Sequence, residues 1–174
     1  MRRDTLAEIS TPTPVYIQAV VASPNSVVSP VTSSRAALIQ WYAFAIGKHF
    51  ENTIASGIIG ETLVIARKHY IVRVPTRYLQ VYVAAANAKA HLLLSPLPPG
   101  LAVLTTSYRA LDHLSRGELH YREHLLEEGA GVRLRAVVAP HTGRGIYRTT
   151  ADDELVVVDE MEHPTLSVDV PEFA

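Results

Sequence analysis

The chain has 174 residues, a net charge of −1, 48% hydrophobic and 19% charged residues, and no cysteine. This length and composition fit one globular domain, or one domain with an insertion, and exclude a disordered chain. The missing thiols exclude disulfides, thiolate zinc fingers, RING domains and cysteine nucleophiles, and the near-neutral charge argues against a large basic surface.

The start, Met1-Arg2-Arg3-Asp4, is charged, and residues 5–14 are polar and proline-marked. They read as a flexible lead-in without the apolar core of a signal peptide. The longest apolar runs are Leu79 to Ala86 and His91 to Leu104, the second broken by Ser95-Pro96-Leu97-Pro98-Pro99-Gly100. Neither approaches the roughly 20 residues that a membrane helix needs. No membrane segment is expected, and a cytoplasmic setting is.

Residues 15–174 read as a single barrel-like domain. Val15 to Ala22 is a strand, with Val15, Ile17, Ala19 and Val21 on one face by the period-2 rule. Ser23-Pro24-Asn25-Ser26 turns the chain into a short strand, Val27-Val28-Ser29, and a polar loop follows to Arg35. Ala36 to Ala45 is an aromatic-rich strand holding the only tryptophan, Trp41, as a core or barrel-end residue. Gly47, Gly57 and Gly60 surround a long, mobile loop. Glu61 to Ala66 and Tyr70 to Val74 form a hairpin across Arg67-Lys68-His69, ended by Pro75.

Arg77 to Ala84 continues as a strand, and alanine enrichment from Ala85 to Leu94 suggests a short helix. Leu101, Leu104, Tyr108, Leu111 and Leu114 recur at helical spacing, so a helix spans about 100–115, stopped by Gly117. These form a helical insertion near 86–116. Val132 to Ala139, Leu155 to Asp159 and Thr165 to Val170 are the closing strands. Short, evenly spaced strands with one or two helices predict a mainly β fold, a small OB-like β-barrel.

Residues 118–127 admit two readings. As a helix, His120-Tyr121-Arg122-Glu123-His124 matches the H-x-x-E-H pattern of zinc peptidases. His120 and His124 would then hold one Zn²⁺, and Glu123 would act as general base. As a strand, the two histidines share a face about 13 Å apart, at about 3.3 Å per residue, too far to chelate one ion. The strand reading carries no metal and is preferred; the zinc hydrolase is the alternative.

A second cluster interleaves bases and aromatics: Arg67, Lys68, Tyr70, Arg73, Arg77 and Tyr78. On an OB-like barrel such residues bind single-stranded nucleic acid through stacking and phosphate contacts. The net charge of −1 favours a solvated strand face instead.

The segment order is also similar to a known module. Val27-Val28-Ser29-Pro30-Val31-Thr32 followed by Leu38-Ile39-Gln40-Trp41-Tyr42 looks like the opening of the GIDE domain, found in the mitochondrial ubiquitin ligase family and bacterial relatives. The hairpin Leu63-Val64-Ile65 to Val72-Arg73-Val74, and Tyr121-Arg122-Glu123 with Leu125-Leu126, Gly129 and Val132, resemble further elements of that domain. The resemblance covers roughly residues 15–140. The family's cysteine position falls at about Leu38, and its D-x-x-G turn is replaced by Arg67-Lys68-His69-Tyr70. The resemblance implies a β-rich interaction domain; without cysteine, ligase activity does not carry over. The expected function is therefore a non-enzymatic module with a protein partner and no cofactor. Its contact surfaces would be an exposed strand face and the Gly47–Gly60 loop.

Overall fold

A computed structural model describes residues 6, 9–23, 26–46, 51–82, 89–92, 97–104, 119–141, 153–158 and 164–168. In chain order its strands are β1 (Thr13–Val21), β2 (Val27–Val28), β3 (Arg35–Ala36), β4 (Leu38–Ile46), β5 (Glu51–Ile59), β6 (Thr62–Arg67) and β7 (Tyr70–Pro75). There follow β8 (Gln80–Tyr82), β9 (Lys89–Leu92), the helix α1 (Pro99–Leu104), β10 (Leu119–Leu126), β11 (Gly131–Pro140), β12 (Asp153–Val157) and β13 (Thr165–Val168). The fold is mainly β, as the alternation predicts. The chain divides into two compact units, each drawn from separate stretches of sequence.

The first unit (1–24, 61–82 and 128–174) is a closed five-stranded barrel. Its ring runs β1, β6, β7, β12, β11 and back to β1. Numbered along the chain, the ring strands close in the order first, second, third, fifth, fourth. All pairings in the ring are antiparallel except β7 with β12. The period-2 pattern explains the interior: Ile17, Leu63, Ile65, Val72, Val74, Leu134 and Val138 are all buried. Beside β11, β13 adds antiparallel and β8 joins β13 in parallel, extending the barrel wall.

The β6–β7 hairpin turns at Lys68, in the left-handed region at φ 54°. Its predicted position and ends match closely. The strand expected over Arg77 to Ala84 is shorter. Pro75 is followed by a single 3-10 turn, Thr76–Tyr78, closed by the Leu79 N–H donating to the Thr76 carbonyl, and only Gln80–Tyr82 is extended.

The second unit (25–60 and 83–127) holds a four-stranded antiparallel sheet, β5-β4-β10-β9, and the small β2–β3 ribbon. On the central strand β4 the face of Ile39, Trp41 and Ala43 is buried, whereas the other face is buried at Leu38 and Phe44 and half-buried at Gln40 and Tyr42. On one face Trp41, Ala43, Leu119 and Tyr121 pack with Leu97 and Leu101 of the α1 region. The Trp41 and Tyr121 rings stack at 6.2 Å. Gly57 lies opposite Trp41, and a Cβ there would sit 2.9 Å from the indole Nε1, so the ring occupies the space a side chain would need.

Two expectations are corrected in this unit. Residues 51–59, read as part of a mobile loop, form the nine-residue strand β5, whose alternate positions follow β4 with one bulge at Ala43/Phe44. Residues 89–92, read as helix from their alanine content, form strand β9 against β10. Partner strands overrode a weak local propensity in both cases. Of the helix expected over 100–115, Pro99–Leu104 is helical and the remainder lies outside the described residues.

Candidate functional site

Residues 119–126 are a strand, and this decides how their chemistry is arranged. On β10 successive side chains alternate between faces. Leu119, Tyr121 and Glu123 point into the apolar core beside Ala45, Ala43 and Trp41, while His120, Arg122 and His124 share the other face with Phe44, Tyr42 and Gln40.

Glu123 is only 4% exposed, so its carboxylate needs donors. Three hydroxyls supply them. Ser29 Oγ donates to Oε1, Thr32 Oγ1 donates to Oε2 at 2.6 Å, and the Tyr121 hydroxyl donates to Oε1 at 2.8 Å. Burial, then the hydrogen bond to Glu123 and its charge, hold the Tyr121 phenol protonated far above its ordinary range. Ser29 Oγ in turn accepts the N–H groups of Val31 and Thr32 at 3.1 and 3.2 Å. The loop is closed by backbone bonds from Ser29 N–H to the Ser34 carbonyl and from Ser33 N–H to the Ser29 carbonyl, with Ser33 at φ 62°. A Cβ on Gly100 would collide with the Pro30 carbonyl, so glycine lets α1 begin directly against this loop.

The arrangement clamps the Ser29–Ser34 loop to β10. Ser29 has its hydroxyl hydrogen committed to a carboxylate and its lone pairs to two amides. Neither imidazole of β10 can serve it as a base, because both project from the opposite face of the strand.

That opposite face is aromatic and cationic. Arg122 lies over the Phe44 ring, 4.6 Å from its centroid, and forms a two-pronged ion pair with Glu51 at 2.8 and 3.1 Å. His120 stacks on Phe44 at 5.5 Å, and His124 meets Tyr42 edge-on at 5.6 Å. His124 Nδ1 is buried without a hydrogen-bond partner among the described residues. Burial, then the charge of Arg122, lowers the His124 pKa.

The H-x-x-E-H alternative fails on this geometry. His120 and His124 stand four residues apart on an extended strand, about 13 Å at about 3.3 Å per residue, and Glu123 faces away from both. The helical spacing that would join them into one metal site does not exist.

The basic and aromatic cluster of the β6–β7 region is not brought onto one face. Tyr70 turns into the barrel interior, whereas Arg73 points outward and pairs with Glu154 of β12. Arg67 ends β6 directly opposite Tyr70, Lys68 occupies the hairpin turn, and Arg77 is exposed in the 3-10 turn. The Tyr78 side chain lies outside the described residues.

Two features escape a reading by local pattern. The first is the Ser29–Thr32–Tyr121–Glu123 cluster, whose members are up to 94 residues apart. The signal available was the joint occurrence of Ser29-Pro30 and Tyr121-x-Glu123 in the sequence. The second is β5. Among the described residues it pairs only with β4, so no described strand lies along the other edge of this nine-residue strand. No family model matches the chain, and neither does any curated protein or solved structure.

Proposed function

We propose that this chain is a non-enzymatic, GIDE-type interaction module that takes up an extended segment of a protein partner along the open edge of β5. The carrying observation is that edge: nine residues whose outward N–H and C=O groups no described strand takes. Such a row templates pairing with another strand. Apart from the bulge opposite Ala43 and Phe44, β5 lacks the common protections of an edge. It holds no lysine and no proline, and its middle residues, Thr53 to Ile58, carry no charge.

Two further observations support the reading. The residues that carry the resemblance in sequence, Ser29 and Glu123, meet in space, as motif residues of one module would. The first-second-third-fifth-fourth ring with its single parallel pair is the order expected of an OB-like barrel, a frequent scaffold for binding. The clamp at Glu123 holds structure rather than a reacting group, in keeping with a binding role.

The test uses the full chain, tagged and expressed in its native host, beside the double variant Thr53→Lys, Ser56→Lys. Both positions are exposed, so the variant keeps its Trp41 emission. The wild type retains a partner at near-stoichiometric yield, the variant loses it, and amides of residues 51–59 gain hydrogen-exchange protection in the complex. A partner held equally well by the variant, or no change in exchange along β5, overturns the proposal.

A further inference from the structure

The outer wall of the barrel unit carries a separate surface. Strands β1, β11, β13 and β8 lie side by side, and their registers set two rows across the wall. One row is Gln18, Arg133, Ser167 and Tyr82; the next is Tyr16, Arg135, Thr165 and Gln80. The residues between them, Ile17, Leu134, Leu166 and Val81, are buried, so both rows face outward by the alternation of a strand. Tyr16 is 66% exposed and Tyr82 61%, and both arginines are exposed. Neither row contains Asp or Glu, although the chain as a whole is slightly acidic.

We propose that this wall binds single-stranded nucleic acid, with Tyr16 and Tyr82 as stacking platforms and Arg133 and Arg135 between them as phosphate contacts. Every base has a flat face, so exposed aromatic rings on a sheet accept bases with little regard to sequence. Three strand spacings of about 4.8 Å separate the tyrosine-bearing strands, roughly 14 Å, and the arginines stand within that interval. The backbone of a bound strand therefore crosses them between two stacked bases. A guanidinium has five N–H donors, so an arginine that already makes one contact can also donate to a phosphate oxygen. The neighbouring side chains, Gln18, Gln80, Thr165 and Ser167, are neutral and polar and do not repel phosphate. A duplex keeps its base faces covered, and an acidic peptide would engage the arginines but give the tyrosine rings nothing to stack on. This surface belongs to the barrel unit alone and does not depend on β5.

The test is fluorescence anisotropy of a labelled oligothymidylate with the full chain across a salt series. Binding is expected to be saturable and to weaken with salt. Tyr16→Ala and Tyr82→Ala each loosen it at least about fivefold, whereas Tyr16→Phe and Tyr82→Phe, which keep the ring, restore it. Arg133→Ala and Arg135→Ala each make the slope of log affinity against log salt shallower by about 0.7. The edge variant Thr53→Lys, Ser56→Lys binds as the wild type does, which separates this surface from the partner site. The phenylalanine variants keep the test valid if an alanine variant fails to fold. Absence of saturable binding at low salt, equal affinity for a duplex, or displacement by polyglutamate with no dependence on either tyrosine overturns the proposal.

Discussion

The interiors of the two units are held together by different physics. In the barrel unit the inward residues are hydrocarbon apart from Tyr70: Ile17, Leu63, Ile65, Val72, Leu134 and Leu166 fill it with no buried charge among the described residues. In the sheet unit a carboxylate, Glu123, sits beside Trp41 in the core and is satisfied by three hydroxyls. Hydrophobic burial is non-directional and tolerates exchanges that conserve volume. A buried carboxylate tolerates almost none, because each lost donor leaves a polar atom without compensation. The barrel is thus specified by a pattern, whereas the Ser29–Ser34 loop of the sheet unit is fixed by particular atoms.

Substitutions test that contrast, and the probes already exist. Trp41 is the only tryptophan and lies in the sheet unit, so its emission reports that unit, while far-ultraviolet circular dichroism reports both. The largest effect is expected for Leu134→Ala. Leu134 is fully buried in the barrel, and the lost contacts and cavity cost roughly 2–5 kcal/mol. In urea denaturation its dichroism midpoint falls. A Trp41 emission midpoint that falls by the same amount would make the two units one cooperative structure.

Glu123→Ala comes next. It leaves the hydroxyls of Ser29, Thr32 and Tyr121 without their acceptor, at a cost of about 2–3 kcal/mol read at Trp41. A change below about 0.5 kcal/mol would mean that the clamp does not fix the loop.

His124 gives a smaller effect that depends on pH. Its folded pKa lies below the ordinary 6.5, because of burial first and Arg122 second. The unfolded chain therefore takes up this proton at a higher pH than the folded chain does. The stability linked to neutral His124 is full above 6.5 and is lost as pH falls below it. The thermal midpoint of His124→Phe should decline less than that of the wild type on acidification; parallel curves would contradict the assignment. The smallest effect is expected for Arg73→Ala on the barrel wall. It removes a partly exposed ion pair with Glu154 and changes stability by less than about 1 kcal/mol.

The same contrast explains what the sequence disclosed. The barrel strands were legible because alternation is a local signal: Val15, Ile17, Ala19 and Val21 announce β1, and Val132, Leu134, Ala136 and Val138 announce β11. The hairpin at Arg67-Lys68-His69 was legible for the same reason. In the sheet unit local signals misled. Gly57 reads as a loop residue, yet it serves an edge strand by leaving room for Trp41. Ala90 reads as helix, yet the backbone of Arg122 draws it into a sheet. The clamp was illegible because Ser29 and Glu123 become neighbours only once β10 pairs with β4. For residues 118–127 the pattern admitted a helix beside the preferred strand, and pairing with β4 and β9 made the choice.

The barrel is closed by β1 lying against β11, with Thr13 opposite Val138 and Val20 opposite Gly131. On the ribosome that pairing has a timetable. At roughly 5–20 residues per second, several seconds pass between the emergence of β1 and that of its partner. During that interval β1 offers Ile17 and Val21 on one side and two unpaired backbone edges, and the stretch made next, 25–60, belongs to the other unit. β6, paired with only Val20 and Val21, arrives sooner but covers just one end. Nascent β1 is therefore the segment that a chaperone would hold, and a slowed ribosome would lengthen the period in which it needs holding.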